Sequence, residues 1–439
     1  MAELLRSLYN VLFLILIPLL LLRIYWRERH YPLNRRRWHE RFAWRLPDAP
    51  KASPIWIHAV SVGEAVAASP IVEHLRERYP ATPILFSTTT ATGAIATESR
   101  FGDSIVHVLF PYDIPSVVSK FMSHYSPQML ILMETELWPN LLRQCAHREI
   151  PVVLANARLS QKSASRYKYI AFHVRQMLTN ISWLGAQTTK DRERFIDLGA
   201  DPRSVYVTGS VKFDVQLPPS ASEAGQALRR FFGVNRTVLI AGSTREGEEE
   251  ILLKAFAKAA NNHPGLLLLI APRHPERFER VHDLCRRLNF HTVKHSAANN
   301  YNEQIEVYVI DSIGELPKFY AASDIAFVGG SMVPRGGHNV LEPAALGVPV
   351  IVGPHTQNFS EIVNQLYEAN ALYIARDPGS LEHVTERLLD DSNLRDKAGA
   401  AGKNIVAQNK GATVKIVRIV DKMLRTEGSP TSLARSSTS

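Results

Sequence analysis

Two strings of residues carry carboxylates where carboxylates can do chemistry. Ser61-Val62-Gly63-Glu64 closes one short apolar run, and Met133-Glu134-Thr135-Glu136-Leu137-Trp138-Pro139 closes another. A carboxylate at the start of a helix can take a proton from a hydroxyl too weak to attack unaided, so Glu64 is the candidate general base. It also has a plain structural role, as an acid that caps a helix. Ser61 and Gly63 flank it and are read as contacts for an acceptor or an anionic sugar. Glu134 and Glu136 are supporting candidates: they could shape an acceptor site, or raise the pKa of a neighbouring carboxylate. Arg158, in Asn156-Ala157-Arg158-Leu159-Ser160, offers a planar double donor to an anion.

The second half of the chain is rich in phosphate-type turns. Gly329-Gly330-Ser331 follows an apolar run, and Gly336-Gly337-His338-Asn339 precedes Leu341-Glu342-Pro343. Glycine lets a phosphate approach the backbone closely, and N–H groups at a helix start attract an anion. Glu342, one turn into that helix, is placed to hold ribose hydroxyls. Ser243 and Thr244 end another apolar run, and Arg273 and His274 end a third. Gly329, Gly330, Ser331, Gly337, His338, Asn339, Glu342, Ser243, Thr244, Arg273 and His274 together read as a nucleotide site. The acids at 246–250 read as helix-start residues.

These residues need elements to hold them. From residue 55 short apolar runs alternate with helical periodicity. Strands are expected at 55–60, 83–87, 105–110, 128–133, 151–155, 183–186 and 205–208. Residues 216–220 hold two prolines and break the rhythm, as a linker does. The alternation resumes with strands at 237–241, 266–270, 306–310, 325–328, 348–352 and 371–374. Strands apolar on both faces, separated by helices, indicate α/β architecture: two doubly wound Rossmann-like domains with parallel sheets. Ligands bind such domains at the carboxyl ends of the strands, here in a cleft expected between the two domains. The expected divisions are a membrane-anchor helix (1–26), a basic juxtamembrane segment (27–50), an acceptor-binding domain (51–215), a linker (216–222), a nucleotide-binding domain (223–426) and a disordered tail (427–439).

The 439 residues are 45% hydrophobic and 21% charged, too long and too apolar for one ordinary domain or a disordered chain. The formal net charge is +9. Residues 1–22 sum to zero. Residues 23–45 hold eight arginines against two glutamates, giving +6, so the other 394 residues carry only +3. Residues 11–22 are wholly apolar, so an uncleaved anchor is expected, with the basic flank held in the cytoplasm. The arginines from Arg23 to Arg45 would then rest on anionic headgroups. A charge this local argues against a nucleic-acid partner. Cys145 and Cys285 are too far apart for a Cys-x-x-Cys site. No P-loop, dinucleotide fingerprint, nucleophile elbow, His-Glu-x-x-His or Asp-x-Asp motif occurs, and no metal site is expected.

The apolar and basic N-terminus, Ser-Val-Gly-Glu at 61–64, Met-Glu-Thr-Glu-Leu-Trp-Pro at 133–139 and Asn-Ala-Arg-Leu-Ser at 156–160 resemble one family in order. So do Gly-Glu-Glu-Glu at 247–250, Ala-Pro-Arg-His-Pro-Glu-Arg-Phe at 271–278, Phe-Val-Gly-Gly-Ser at 327–331 and Arg-Gly-Gly-His-Asn at 335–339. It is the 3-deoxy-D-manno-octulosonic acid (Kdo) transferase family of lipopolysaccharide synthesis. The resemblance covers about residues 1–425 and implies a GT-B glycosyltransferase of the inner membrane. It implies CMP-Kdo as donor, a lipid A precursor as acceptor, inversion at the anomeric carbon, Glu64 as base and no cofactor. It implies that the nucleotide is held around Ser243, Arg273, Gly330, Ser331, Asn339 and Glu342. The competing readings are a GT-B enzyme for another nucleotide sugar, an epimerase of the same fold, and a membrane-tethered nucleic-acid-binding protein. Neither the oligomeric state nor the number of sugars transferred is legible.

Overall fold

The computed structural model describes residues 37–426, together with residues 9–11, 15–19 and 22. The chain divides into two compact units, residues 1–214 with 410–439, and residues 215–409. The first runs β1 (Ile55–Ala59), α1 (Val62–Arg78), β2 (Ile84–Thr88), α2 (Ala91–Phe101), β3 (Val106–Leu109), α3 (Pro115–Tyr125) and β4 (Met129–Met133). It continues with α4 (Pro139–His147), β5 (Val152–Ala157), α5 (Gln161–Lys168), α6 (Ala171–Thr179), β6 (Trp183–Ala186), α7 (Thr189–Asp197) and β7 (Val205–Val207). The seven strands pair in the order β3-β2-β1-β4-β5-β6-β7, and all pairings are parallel.

Every residue of β1 and β4 is buried, because each strand faces helices on both sides. Alternate residues feed two cores. Trp56, Leu130 and Leu132 join one cluster, while Ile55, Ile57, Ile131 and Met133 join the other. Strand order reverses between β1 and β4, which makes their carboxyl ends the ligand crevice of this sheet.

The second unit runs α8 (Ala221–Phe232), β8 (Val238–Thr244), α9 (Glu248–Asn262), β9 (Leu267–Pro272), α10 (Phe278–Arg287), β10 (Thr292–Lys294), β11 (Val307–Val309) and α11 (Leu316–Ala321). Then come β12 (Ile325–Val328), α12 (Leu341–Ala345), β13 (Val350–Val352), α13 (Ser360–Glu368), β14 (Leu372–Ile374), α14 (Pro378–Asp390) and α15 (Ser392–Asn409). Its parallel sheet has the order β10-β11-β9-β8-β12-β13-β14. The reversal falls between β8 and β12, with Val328 level with Gly242.

Three expectations are corrected. The C-terminal helix α16 (Ala412–Thr426) belongs to the first unit, not to a continuous 223–426 domain. Ile416, Val417 and Val420 complete the core beneath β1 and α1, and Asp421 pairs with Arg78 and with the Tyr79 hydroxyl. Asp214 receives the Gly411 and Thr413 N–H groups at 2.5 and 2.6 Å, capping the start of α16.

The second correction concerns the basic segment expected over 27–50. From residue 37 onward it is folded onto the first unit. Arg37 grips both oxygens of Glu40 and also meets Glu98 and the His107 carbonyl. The buried Arg41 donates to the Thr89 carbonyl at 2.6 Å, and the buried Glu40 accepts the Leu109 N–H at 2.8 Å. Arginines held this way are spent inside the fold. Third, a strand missing from the expectation, β10, forms at the sheet edge.

The anchor expected over 1–26 falls mostly outside the described residues, as do Arg23–Arg36 and residues 427–439. Among the described residues no helix is long and apolar enough to cross a membrane. Residues 9 and 10 touch the first unit: the Tyr9 hydroxyl donates to Asp113 at 3.1 Å, and the Asn140 amide donates to Asn10 at 2.9 Å.

Candidate functional site

In the first unit, Glu64 sits on the third residue of α1, where β1 ends. Ser61 is the N-cap, and its hydroxyl oxygen accepts the Glu64 N–H while its O–H donates to Glu64 Oε1 at 3.0 Å. Glu64 Oε2 accepts the Val60 N–H at 2.8 Å. The carboxylate is therefore fixed by its own helix start, in the manner of a capping box. It is only 8% exposed. Burial pushes its pKa up, and the Glu134 charge adds to that, while the hydrogen bonds from Val60 and Ser61 oppose it.

Glu134 and Glu136 lie just past β4, the neighbour of β1, so the crevice brings all three carboxylates together. Burial and the charges of Glu64 and Glu134 push Glu136 up to about 8. Glu134 has φ +58°, a left-handed conformation costly for a residue with a side chain. Ser243 at the end of β8 (φ +58°) is strained alike, while Asn156 at the end of β5 (φ +55°) adopts the same conformation at the lower cost asparagine carries there. Gly63 is exposed beside Glu64, and Arg158 lies past β5, its carbonyl accepting the Thr135 hydroxyl.

In the second unit the glycine turns are built differently from the expectation. Glu248 is fully buried and accepts the N–H groups of Gly330 (2.7 Å), Ser331 (2.9 Å), Met332 (2.8 Å) and Arg245 (2.9 Å). An internal carboxylate occupies the place expected for phosphate. Ser331 is also buried, with its hydroxyl bridging the Val328 carbonyl and the Gly353 N–H. The Thr244 side chain is buried on Glu249 at 2.9 Å. Gly330, Ser331 and Thr244 thus shape the turn from within. Gly329 lies so close to Ser243 that a side chain would collide with the Ser243 carbonyl. The second glycine pair folds back, with the Gly337 N–H on the Gly330 carbonyl and the His338 N–H on the Gly329 carbonyl.

The side chains around this scaffold are cationic. Arg245 donates from Nε to His338 Nε2 at 3.1 Å and also meets the His274 ring. Its pKa is lowered by burial and by the nearby Arg273 and Arg335. His338 is pushed down to about 4 by burial and by Arg245 and Arg273, so its ring is neutral at pH 7. His274 is lowered for the same reasons. Glu342 accepts the Asn339 amide at 3.0 Å and is raised by burial, with Arg273 opposing. Three guanidiniums held within reach of one another are costly until an anion joins them. Sequence reasoning missed Arg245, Arg335 and the internal role of Glu248. Arg245 directly follows Ser243-Thr244, and Arg335 directly precedes Gly336-Gly337, so adjacency to the turns was the available signal.

Two parallel α/β units, each with its polar residues at the strand-order reversal, define the GT-B type of architecture. Solved structures of that type share the fold. The Staphylococcus aureus MnaA–UDP structure aligns with 87% of this chain and 99% of its own at TM-score 0.53 and 15% identity. A putative UDP-N-acetylglucosamine 2-epimerase from Listeria monocytogenes aligns with 88% and 100% at TM-score 0.52 and 15% identity.

The family is set by sequence. The family model for 3-deoxy-D-manno-octulosonic-acid transferase (kdotransferase) matches residues 36–215, and that for glycosyl transferases group 1 matches residues 236–405. The chain is 40% identical over 421 residues to the 3-deoxy-D-manno-octulosonic acid transferase of Haemophilus influenzae, spanning 95% of this chain and 99% of that one. It is 36% identical over 376 residues to the Bordetella pertussis enzyme of the same name, spanning 83% and 86%. This chain belongs to the 3-deoxy-D-manno-octulosonic acid transferase family, and it is a glycosyltransferase that transfers Kdo.

Proposed function

We propose that this enzyme moves Kdo from CMP-Kdo to a sugar hydroxyl of a lipid A precursor, with inversion, at the cytoplasmic face of the inner membrane. Glu64 takes the proton of the acceptor hydroxyl. The hydroxyl oxygen bonds to the anomeric carbon as the bond from that carbon to the CMP phosphate oxygen breaks, and the electron pair leaves on phosphate. Arg273, Arg245 and Arg335 balance the negative charge of CMP and of the Kdo carboxylate. Ser243, Gly337, His338 and Asn339 line the nucleotide, and Glu342 serves the ribose. Ser61, Gly63 and Arg158 border the acceptor side.

The observation that carries this reading is the convergence of three arginines on the turns at the β8/β12 reversal. It fits a donor with two anionic groups. Glu64, held by Val60 and Ser61 with its pKa raised, supplies the base on the other sheet.

The test is incubation with CMP-Kdo, generated in situ, and the tetra-acylated lipid A precursor, read by mass spectrometry. Kdo added to the lipid is the expected result, and the spectrum also counts the units added. Glu64→Gln should bind CMP as the parent does while losing at least a hundredfold in transfer. Near-normal transfer by that variant sinks the base assignment.

A further inference from the structure

We propose that His274 and His338 are positioning residues for Arg245: two neutral rings hold its guanidinium without cancelling its charge, and leave its third nitrogen to the anionic donor. The proposal deepens the reading of Arg245 given above and rests on it.

The carrying observation is how Arg245 is held. Its Nε donates to His338 Nε2 at 3.1 Å, and its Nη1 meets His274 Nε2. Arg277 shows the usual alternative, pairing with the buried Glu249 at 3.0 Å and with Glu246 at 3.5 Å. Glu248 is engaged too, accepting four backbone N–H groups. Among the described residues no carboxylate oxygen lies within ion-pair distance of the Arg245 guanidinium, and no atom accepts from its Nη2. An acid paired with Arg245 would repel the phosphate and carboxylate of the donor. An imidazole nitrogen accepts the same hydrogen bond without a charge, and Nη2 keeps two N–H groups for an anion.

This arrangement fixes the state of both rings. A guanidinium only donates, so each facing Nε2 carries a lone pair and each ring proton stands on Nδ1. His338 faces Arg245, Arg273 and His274. His274 faces Arg245, Arg273 and Arg277, with Glu276 at 3.9 Å from its Nδ1. Burial and the guanidiniums hold His338 down at about 4 and lower His274, so both rings are acceptors at pH 7. The backbone seats them. The His338 ring lies over Gly330, where an added carbon would come within 2.9 Å of Cδ2 and Nε2. The residue before His274 is tied to the residue before Arg245, with the Arg273 N–H on the Thr244 carbonyl at 3.0 Å.

The test uses the full chain and CMP, with affinity read by calorimetry at pH 7. His274→Leu should weaken CMP binding about fivefold, the worth of one hydrogen bond. His274→Gln, whose amide oxygen can accept in place of Nε2, should lose less than about twofold. In the Arg245→Ala background His274→Leu should add nothing, since the arginine it acts through is gone. Histidine-selective 15N NMR gives a second readout. At pH 7 two neutral rings should carry their proton on Nδ1, the minor form of the free side chain, and His274→Gln and His338→Gln assign them. Both should lose that preference in Arg245→Ala. An unchanged melting temperature verifies the fold of each variant.

Losses that add in the double variant overturn the proposal, because the histidine then acts on its own. So does a proton on Nε2 of either ring in the parent protein, or a His274→Gln as weak as His274→Leu. An Arg245→Ala protein that binds CMP as the parent does overturns the underlying reading of Arg245 instead, and that result is distinguishable because it involves no histidine variant.

Discussion

At the scale of single residues, crowding decides protonation. Glu136 titrates near 8 because it is buried beside Glu64 and Glu134, against 4.5 for an ordinary glutamate. The folded state therefore binds a proton more tightly than the unfolded chain. Its contribution to stability is full below pH 4.5 and is lost as pH rises towards 8. Glu136→Gln should thus raise the melting temperature at pH 8 more than at pH 5, which a scanning fluorimetry series will show. The same crowding governs the base. Glu134 raises the pKa of Glu64, so Glu134→Gln should move the acidic limb of the pH–rate profile to lower pH. Glu248 is the opposite case, a carboxylate whose partners are all internal. Glu248→Ala strands buried N–H groups at Gly330, Ser331 and Met332 and should cost about 3 kcal/mol or more, measured by denaturant unfolding. Arg245→Ala should leave the fold intact and weaken CMP binding at least tenfold by calorimetry.

At the scale of elements, the sequence was most legible where a strand is buried on both faces. The runs at 183–186 and 325–328 coincide with β6 and β12, because continuous apolar residues leave the chain no other way to hide its backbone. β10 was missed because Thr292–Lys294 is three residues long, lies at a sheet edge and has only one buried side chain. α15 leaves little hydrophobic pattern in the sequence, because its buried positions include Ala398, Gly399 and Gly402, which give no hydrophobic stripe. Those small residues let the helix lie against the chain at Ala344 and Gly347. Of the candidate site, the position of Glu64 was legible as an acid at a helix start that closes an apolar run, and the structure places it on the third residue of α1. The internal role of Glu248 was not, because three of its four partners stand more than 80 positions away. At this scale Gly329→Ala should cost about 1–3 kcal/mol in stability, since the added carbon meets backbone at Ser243 and Thr244, and neither can yield as a side chain would.

At the scale of the molecule, the net charge of +9 divides into parts with different fates. Arg37 and Arg41 are consumed inside the first unit, and the acid-free stretch 150–190 presents its cations outward. The return of α16 has a consequence of another kind, in biosynthesis. The first unit cannot close its core until residues near the end of the chain leave the ribosome, because Ile416, Val417 and Val420 are part of it. The second unit, wholly contained in residues 215–409, is complete earlier. The order of maturation is thus the reverse of the order of synthesis, and the early half must wait with an apolar face uncovered. A fragment of residues 37–214 made alone should be unstable and prone to aggregate. A peptide of residues 410–426 added in trans should restore it, and size-exclusion chromatography with circular dichroism would show the recovery.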